Sequence, residues 1–170
     1  MPIESTDDVE ALYRAHHAEV LAYCARRIGR TDADDVVSEV FAVAWRRRDE
    51  IDPATARPWL YGIARGVLSN RWRSRGRHLR LVGKVSGLAE TPHETPDVVV
   101  VRRESDQEVL SALRRLRSAD QEILRLAAWE DLGPTEIALV LDITVEAAKQ
   151  RLHRAKRRLA AVLDGKGERS

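Results

Sequence analysis

Cysteine is nearly absent: Cys24 stands alone in 170 residues. An internal disulfide and a cysteine-cluster zinc site are both excluded. Nowhere does an apolar run approach the roughly 20 residues that cross a bilayer. The N-terminus lacks the basic-then-apolar order of a secretory leader, so a cytoplasmic protein without membrane insertion is expected. Strict apolar–polar alternation is missing as well. Val98-Val99-Val100-Val101 is β-branched but short, and it runs into a helical pattern. There is no glycine-rich phosphate loop and no nucleophile–base pattern. His16 and His17 are neighbours, so on a helix they point apart and cannot chelate together. Accordingly, no catalytic group, metal site or cofactor is expected.

The most informative absence is of one charge. From Pro53 to Ala89 there is no Asp or Glu, whereas Arg57, Arg65, Arg71, Arg73, Arg75, Arg77, Arg80 and Lys84 all fall there. From Val145 to Leu163 the only acid is Glu146, against Lys149, Arg151, Arg154, Lys156, Arg157 and Arg158. The net charge is only +2, so cations and acids are segregated. Segregated basic patches in a near-neutral chain point to polyanion contacts at chosen places. The bland alternative is a solvated helix face.

Apolar residues recur at three- and four-residue spacing almost throughout, which predicts an all-α fold. Helices are expected over Thr6 to Ile28, Asp32 to Arg48 and Ala56 to Arg75, with a final set from about Val98. Pro53 breaks the chain, and Pro58 suits a first helical turn. Gly83, Ser86, Gly87, Thr91, Pro92, Thr95 and Pro96 mark a linker. The expected organisation is a helical domain over 1–82, a flexible linker over 83–97, a second small helical domain over 98–165 and a tail over 166–170.

In the second domain Gly133 and Pro134 start a short helix, Asp142-Ile143-Thr144 makes a tight turn, and Thr144 caps a longer basic helix. That is the helix-turn-helix layout. At 100° per residue, Ala148, Leu152, Ala155, Leu159, Val162 and Leu163 form the core side of the longer helix. Gln150, His153, Arg154 and Arg157 face outward, flanked by Lys149, Arg151 and Arg158. Arg and Gln suit guanine and adenine edges, and the flanking cations suit phosphates.

In the first domain Leu60, Ile63, Ala64, Val67 and Leu68 form the buried stripe of the third helix. Tyr61, Arg65, Ser69, Trp72 and Arg73 project to the other side, which Gly62 and Gly66 open. Rings for stacking beside cations are what unstacked bases need. Trp59 reads as a core aromatic on its own, and Arg71 projects near the buried stripe without an evident reason. The helix before it presents Val36, Val37, Val40, Phe41, Ala44 and Trp45 as an apolar surface edged by Asp34, Asp35 and Glu39. A core helix and a protein-docking helix fit that pattern equally.

Four stretches in order, LYRAHHAEVLAYCARRIG, DADDVVSEVFAVAWRR, ARPWLYGIARGVLSNRWRSRGR and the segment from Leu110 to Leu159, resemble bacterial sigma factors of the small, two-domain extracytoplasmic-function group of the sigma-70 family. The resemblance covers about residues 9 to 163. It implies a sigma region 2 domain followed by a winged-helix-like region 4 helix-turn-helix domain. Its implied partners are core RNA polymerase, promoter DNA and an anti-sigma factor. By position it implies polymerase binding by Asp35, Glu39, Phe41 and Trp45. It implies minus-ten contacts around Trp59, Tyr61 and Asn70, beside the Arg65, Trp72 and Arg73 read above. It implies minus-thirty-five reading by Lys149, Gln150, Arg151, His153 and Arg154, with Arg157 beside them. A flipped minus-ten base would sit in the loop around Asp49 to Ala56. Ser38, Gly66, Ala147 and Ala148 depart from the family's usual residues. A stand-alone helix-turn-helix regulator is the rival reading, and it leaves the first domain without a role.

Overall fold

A computed structural model describes residues 6–86 and 104–167, with side chains over 8–78 and 106–165. The chain divides into two units, Met1–Val98 and Val99–Ser170. The described residues of both are helical, with no strand among them, so the expected all-α fold holds. No β-wing accompanies the helix-turn-helix there.

The N-terminal unit holds α1 (Thr6–Ile28), α2 (Arg30–Arg46), two single 3-10 turns at Arg48–Glu50 and Pro53–Thr55, and α3 (Ala56–Ser86). Gly29 alone separates α1 from α2. Its φ of 82° is one that side chains resist, and its N–H donates to the Ala25 carbonyl at 2.9 Å. The joint starts α2 two residues before the Asp32 expected. Val20, Tyr23 and Cys24 of α1, Ala33, Val36, Val40 and Ala44 of α2, and Leu60 and Ala64 of α3 are wholly buried together. Each large aliphatic among them contributes about 1.5–3 kcal/mol by leaving water. Small Ala33, Ala44 and Ala64 let the three helices approach. Arg27 is buried too: its guanidinium lies 3.5 Å from the Tyr23 ring centroid and donates to the Tyr23 carbonyl.

Helix α3 is longer than expected. It continues to Ser86 through the stretch where a linker was expected from Gly83. Between Arg75 and Ser86 there is no proline, and Gly76 and Gly83 cost only about 1 kcal/mol each relative to alanine in a helix interior. The remainder of the expected linker, and the valines at 98–101, lie outside the described residues. Within α3, Gly66 is exposed, and a Cβ there meets no atom within 4 Å. Gly66→Ala is therefore expected to stabilise this unit by about 0.5–1 kcal/mol, because it removes backbone freedom from the unfolded chain at no steric cost. Thermal unfolding of the purified variant measures this; a lowered midpoint would contradict it.

The C-terminal unit holds α4 (Glu104–Arg114), α5 (Ser118–Ala128), α6 (Pro134–Leu141) and α7 (Val145–Gly167). Leu110, Ala112, Leu113, Ile123, Leu126, Leu132, Ile137, Ala138, Val140, Ala148, Leu152 and Ala155 form its core. Helix α6 begins as expected at Gly133-Pro134. The Gly133 N–H also donates to the Glu136 carboxylate at 3.0 Å, closing the first turn. Asp142 ends α6 with φ 52°, and the Thr144 hydroxyl accepts from the Ala147 N–H at 3.2 Å to cap α7. The turn is short because Asp tolerates the left-handed region. Buried Ala138 on α6 and Ala148 on α7 let the two helices pack closely.

Candidate nucleic-acid interfaces

Helix α7 is docked by one face. Ala148 and Ala155 are fully buried and Leu152 nearly so, while Lys149, Gln150, Arg151, His153, Arg154 and Arg157 are all exposed. Among the described residues none of these six is held in an ion pair. The Arg154 Nε donates to the Gln150 carbonyl of the same helix at 3.3 Å. That bond steadies the side chain without neutralising it. The result is a fork of donors, an amide and an imidazole over about two helical turns, the width one α-helix presents to a major groove.

Arg158 does not belong to this face. Its Nη1 donates to both carboxylate oxygens of Asp120, at 2.9 and 2.8 Å, across to α5. Arg158, expected as a phosphate contact, is thereby tied to α5 inside the unit.

Helix α3 presents Arg65, Asn70, Trp72 and Arg73 to solvent, with Trp72 at 37% exposure. Arg73 donates to the Asn70 side-chain oxygen, so these two act as one polar group. Trp59 is half-buried, with the Arg47 guanidinium 5.6 Å from its ring centroid. Tyr61 lies elsewhere. It is 3% exposed and stacks on Tyr23 of α1, with ring centroids 4.9 Å apart. A projection that gives a helix one buried face fails in the first turns of α3, because both α1 and α2 pack against α3. Tyr61 is thus a core ring, not an exposed base-stacking one.

Arg71 finds its reason in α2. It donates to Glu39 at 3.2 Å, and Arg75 lies 3.7 Å from Asp32. The acidic edge of α2 meets the basic face of α3. In the loop after α2, Arg47 and Glu50 form a hydrogen-bonded pair. The bond holds the Glu50 carboxyl below the usual carboxylate range and raises the Arg47 guanidinium. Both side chains are exposed, so the pair shapes the loop more than it stabilises the fold.

Of the four polymerase-binding candidates on α2, Asp35, Glu39 and Trp45 are exposed. Trp45 is 41% exposed, with the Arg48 guanidinium 5.5 Å from its ring. Phe41 is buried, edge-on to Tyr13 at 4.8 Å and 6.3 Å from the His17 ring. Tyr13, 43% exposed, covers Phe41. Its i, i+4 pairing with His17 on α1 was the signal that could have marked this aromatic patch.

The family model described as Sigma-70 region 2 matches residues 12–78, and that described as Sigma-70, region 4 matches 106–159. RNA polymerase sigma factor CnrH of Cupriavidus metallidurans is 32% identical over 91% of this chain and 86% of its own. ECF RNA polymerase sigma factor SigL of Mycobacterium tuberculosis is 30% identical over 94% of this chain and 90% of its own. The chain belongs to the extracytoplasmic-function group of sigma-70 factors.

This sigma factor therefore directs promoter-specific transcription initiation by RNA polymerase. The solved structure of CnrH in complex with the cytosolic domain of CnrY matches it with a TM-score of 0.61 at 26% identity, covering 95% of this chain and 90% of that one. Among the described residues of the sigma factor, no helix is long and apolar enough to cross a membrane. Nor do they include a cluster of three or more potential metal-ligating side chains.

Proposed function

We propose that the N-terminal unit docks this sigma factor on core polymerase and opens the minus-ten element, while α7 reads the minus-thirty-five element. The observation that carries the reading is the face of α7: six exposed donor-rich side chains without an acid partner among the described residues. Docking falls to Asp35, Glu39 and Trp45, with Phe41 supporting them from below. Trp59, Arg65, Asn70, Trp72 and Arg73 engage the opened strand, and the loop from Asp49 to Ala56 receives a flipped base. Unstacking that base costs a few kcal/mol, which ring stacking and cation contacts offset. Lys149, Gln150, Arg151, His153, Arg154 and Arg157 contact the upstream element. The protein works in the cytoplasm without catalytic chemistry of its own. An anti-sigma factor is its further partner; the relative CnrH has been solved holding the cytosolic domain of CnrY.

Run-off transcription with purified core polymerase and genomic DNA tests the whole reading. Transcripts whose upstream regions share two spaced motifs are the expected result. Duplex binding without any association with core polymerase would overturn it in favour of a stand-alone regulator.

A further inference from the structure

Resting on the reading of α7 as the upstream reader, we infer that Asp120 and Arg158 form a positioning pair that sets the rotation of the recognition helix. The buried apolar contacts of α7 are Ala148, Leu152 and Ala155, with Leu159, Val162 and Leu163 half-buried beyond them. Such contacts are non-directional, and two of the three buried side chains are single methyl groups. They fix how close α7 lies and only loosely how it is turned about its axis. Bidentate base contacts need the helix aimed to within about 10–20°. The Asp120–Arg158 bond is directional. It joins residues 38 apart in sequence, and it lies one turn beyond Arg154.

Asp120 is suited to the task. It is the third residue of α5, where the helix dipole favours an acid, and its side chain is only 12% exposed. A carboxylate so far removed from water is held in one orientation by its partner, and the Arg117 Nε stands 3.8 Å from its Oδ2. Arg158 uses one nitrogen for both oxygens, a geometry that a lysine ammonium reproduces.

The sign of the effect separates positioning from simple electrostatics. Asp120→Asn removes a negative charge from a DNA-binding unit, which by itself strengthens binding to any duplex. A positioning role predicts the opposite for the cognate element. The test uses holoenzyme assembled from core polymerase and the full chain. The probes are the promoter fragment most strongly transcribed in the run-off assay and the same fragment with its upstream element scrambled. For Asp120→Asn and Arg158→Gln the ratio of affinities, intact over scrambled, is expected to fall about tenfold, the size of coupling usual between bonded residues. Affinity for the scrambled fragment should hold or rise for Asp120→Asn. Arg158→Lys should keep most of the ratio. Circular dichroism and thermal unfolding establish that each variant is folded, and if Asp120→Asn does not fold, the Gln and Lys variants at 158 decide. Single variants that keep the wild-type ratio, or a Lys variant that loses as much as Gln, overturn the proposal alone. A wild-type holoenzyme that does not distinguish the two fragments overturns the reading of α7 and the proposal with it.

Discussion

Trp45→Ala is expected to weaken binding to core polymerase by about 2–4 kcal/mol, roughly 30- to 1000-fold, the range of a tryptophan hot spot. Trp45 closes α2 with 41% of its surface exposed and Arg48 over its ring. A flat ring with a guanidinium already over it loses little freedom when a partner covers it. Truncating a side chain this exposed leaves the unit's core intact, so fold and binding separate cleanly. Competition for core polymerase against a labelled wild-type chain measures the loss. A variant that competes within about twofold, less than a hot spot allows, removes Trp45 from the docking surface. Phe41 offers no comparable test. It is buried beneath Tyr13, so its truncation leaves a cavity and destabilises the unit itself.

Arg154→Ala is expected to cost about 1–3 kcal/mol at the intact upstream element, the value of one bidentate base contact. Arg154 points away from the core of its unit, and its Nε is engaged by the Gln150 carbonyl. The two terminal nitrogens have no hydrogen-bond partner among the described residues, so both stay free to donate to a base. A base contact changes the ranking of upstream sequences, whereas a phosphate contact lowers affinity for all of them alike. Dissociation constants of holoenzyme for a set of single-base upstream variants distinguish the two. An unchanged ranking takes Arg154 off the list of readers.

Local signals in this chain were legible because local physics decides them. The span of α1, the Gly133-Pro134 start of α6 and the Thr144 cap depend on residues within four positions of one another. The outward face of α7 was legible because that helix buries a single stripe. Other features depend on registers that only the folded chain sets. Arg71 meets Glu39 across 32 residues, and Arg158 meets Asp120 across 38. Neither partner is marked by spacing. Tyr61 misled for a related reason: it lies on a helix packed by two others, so the buried stripe is wider than one projection allows. The end of α3 was missed because Gly83 and Ser86 read as linker residues, though the helix tolerates them.

The pairs between α2 and α3 bear on ion exchange at the promoter. The stretch from Pro53 to Ala89 carries eight cations and no acid of its own. Three of the eight, Arg57, Arg71 and Arg75, face Glu19, Glu39 and Asp32 from neighbouring helices. A cation already neutralised within the protein displaces no condensed counterion when DNA arrives. If this unit opens the minus-ten element as proposed, its counterion release is set by fewer charges than its composition advertises, which leaves proportionally more of its promoter affinity to rings and hydrogen bonds.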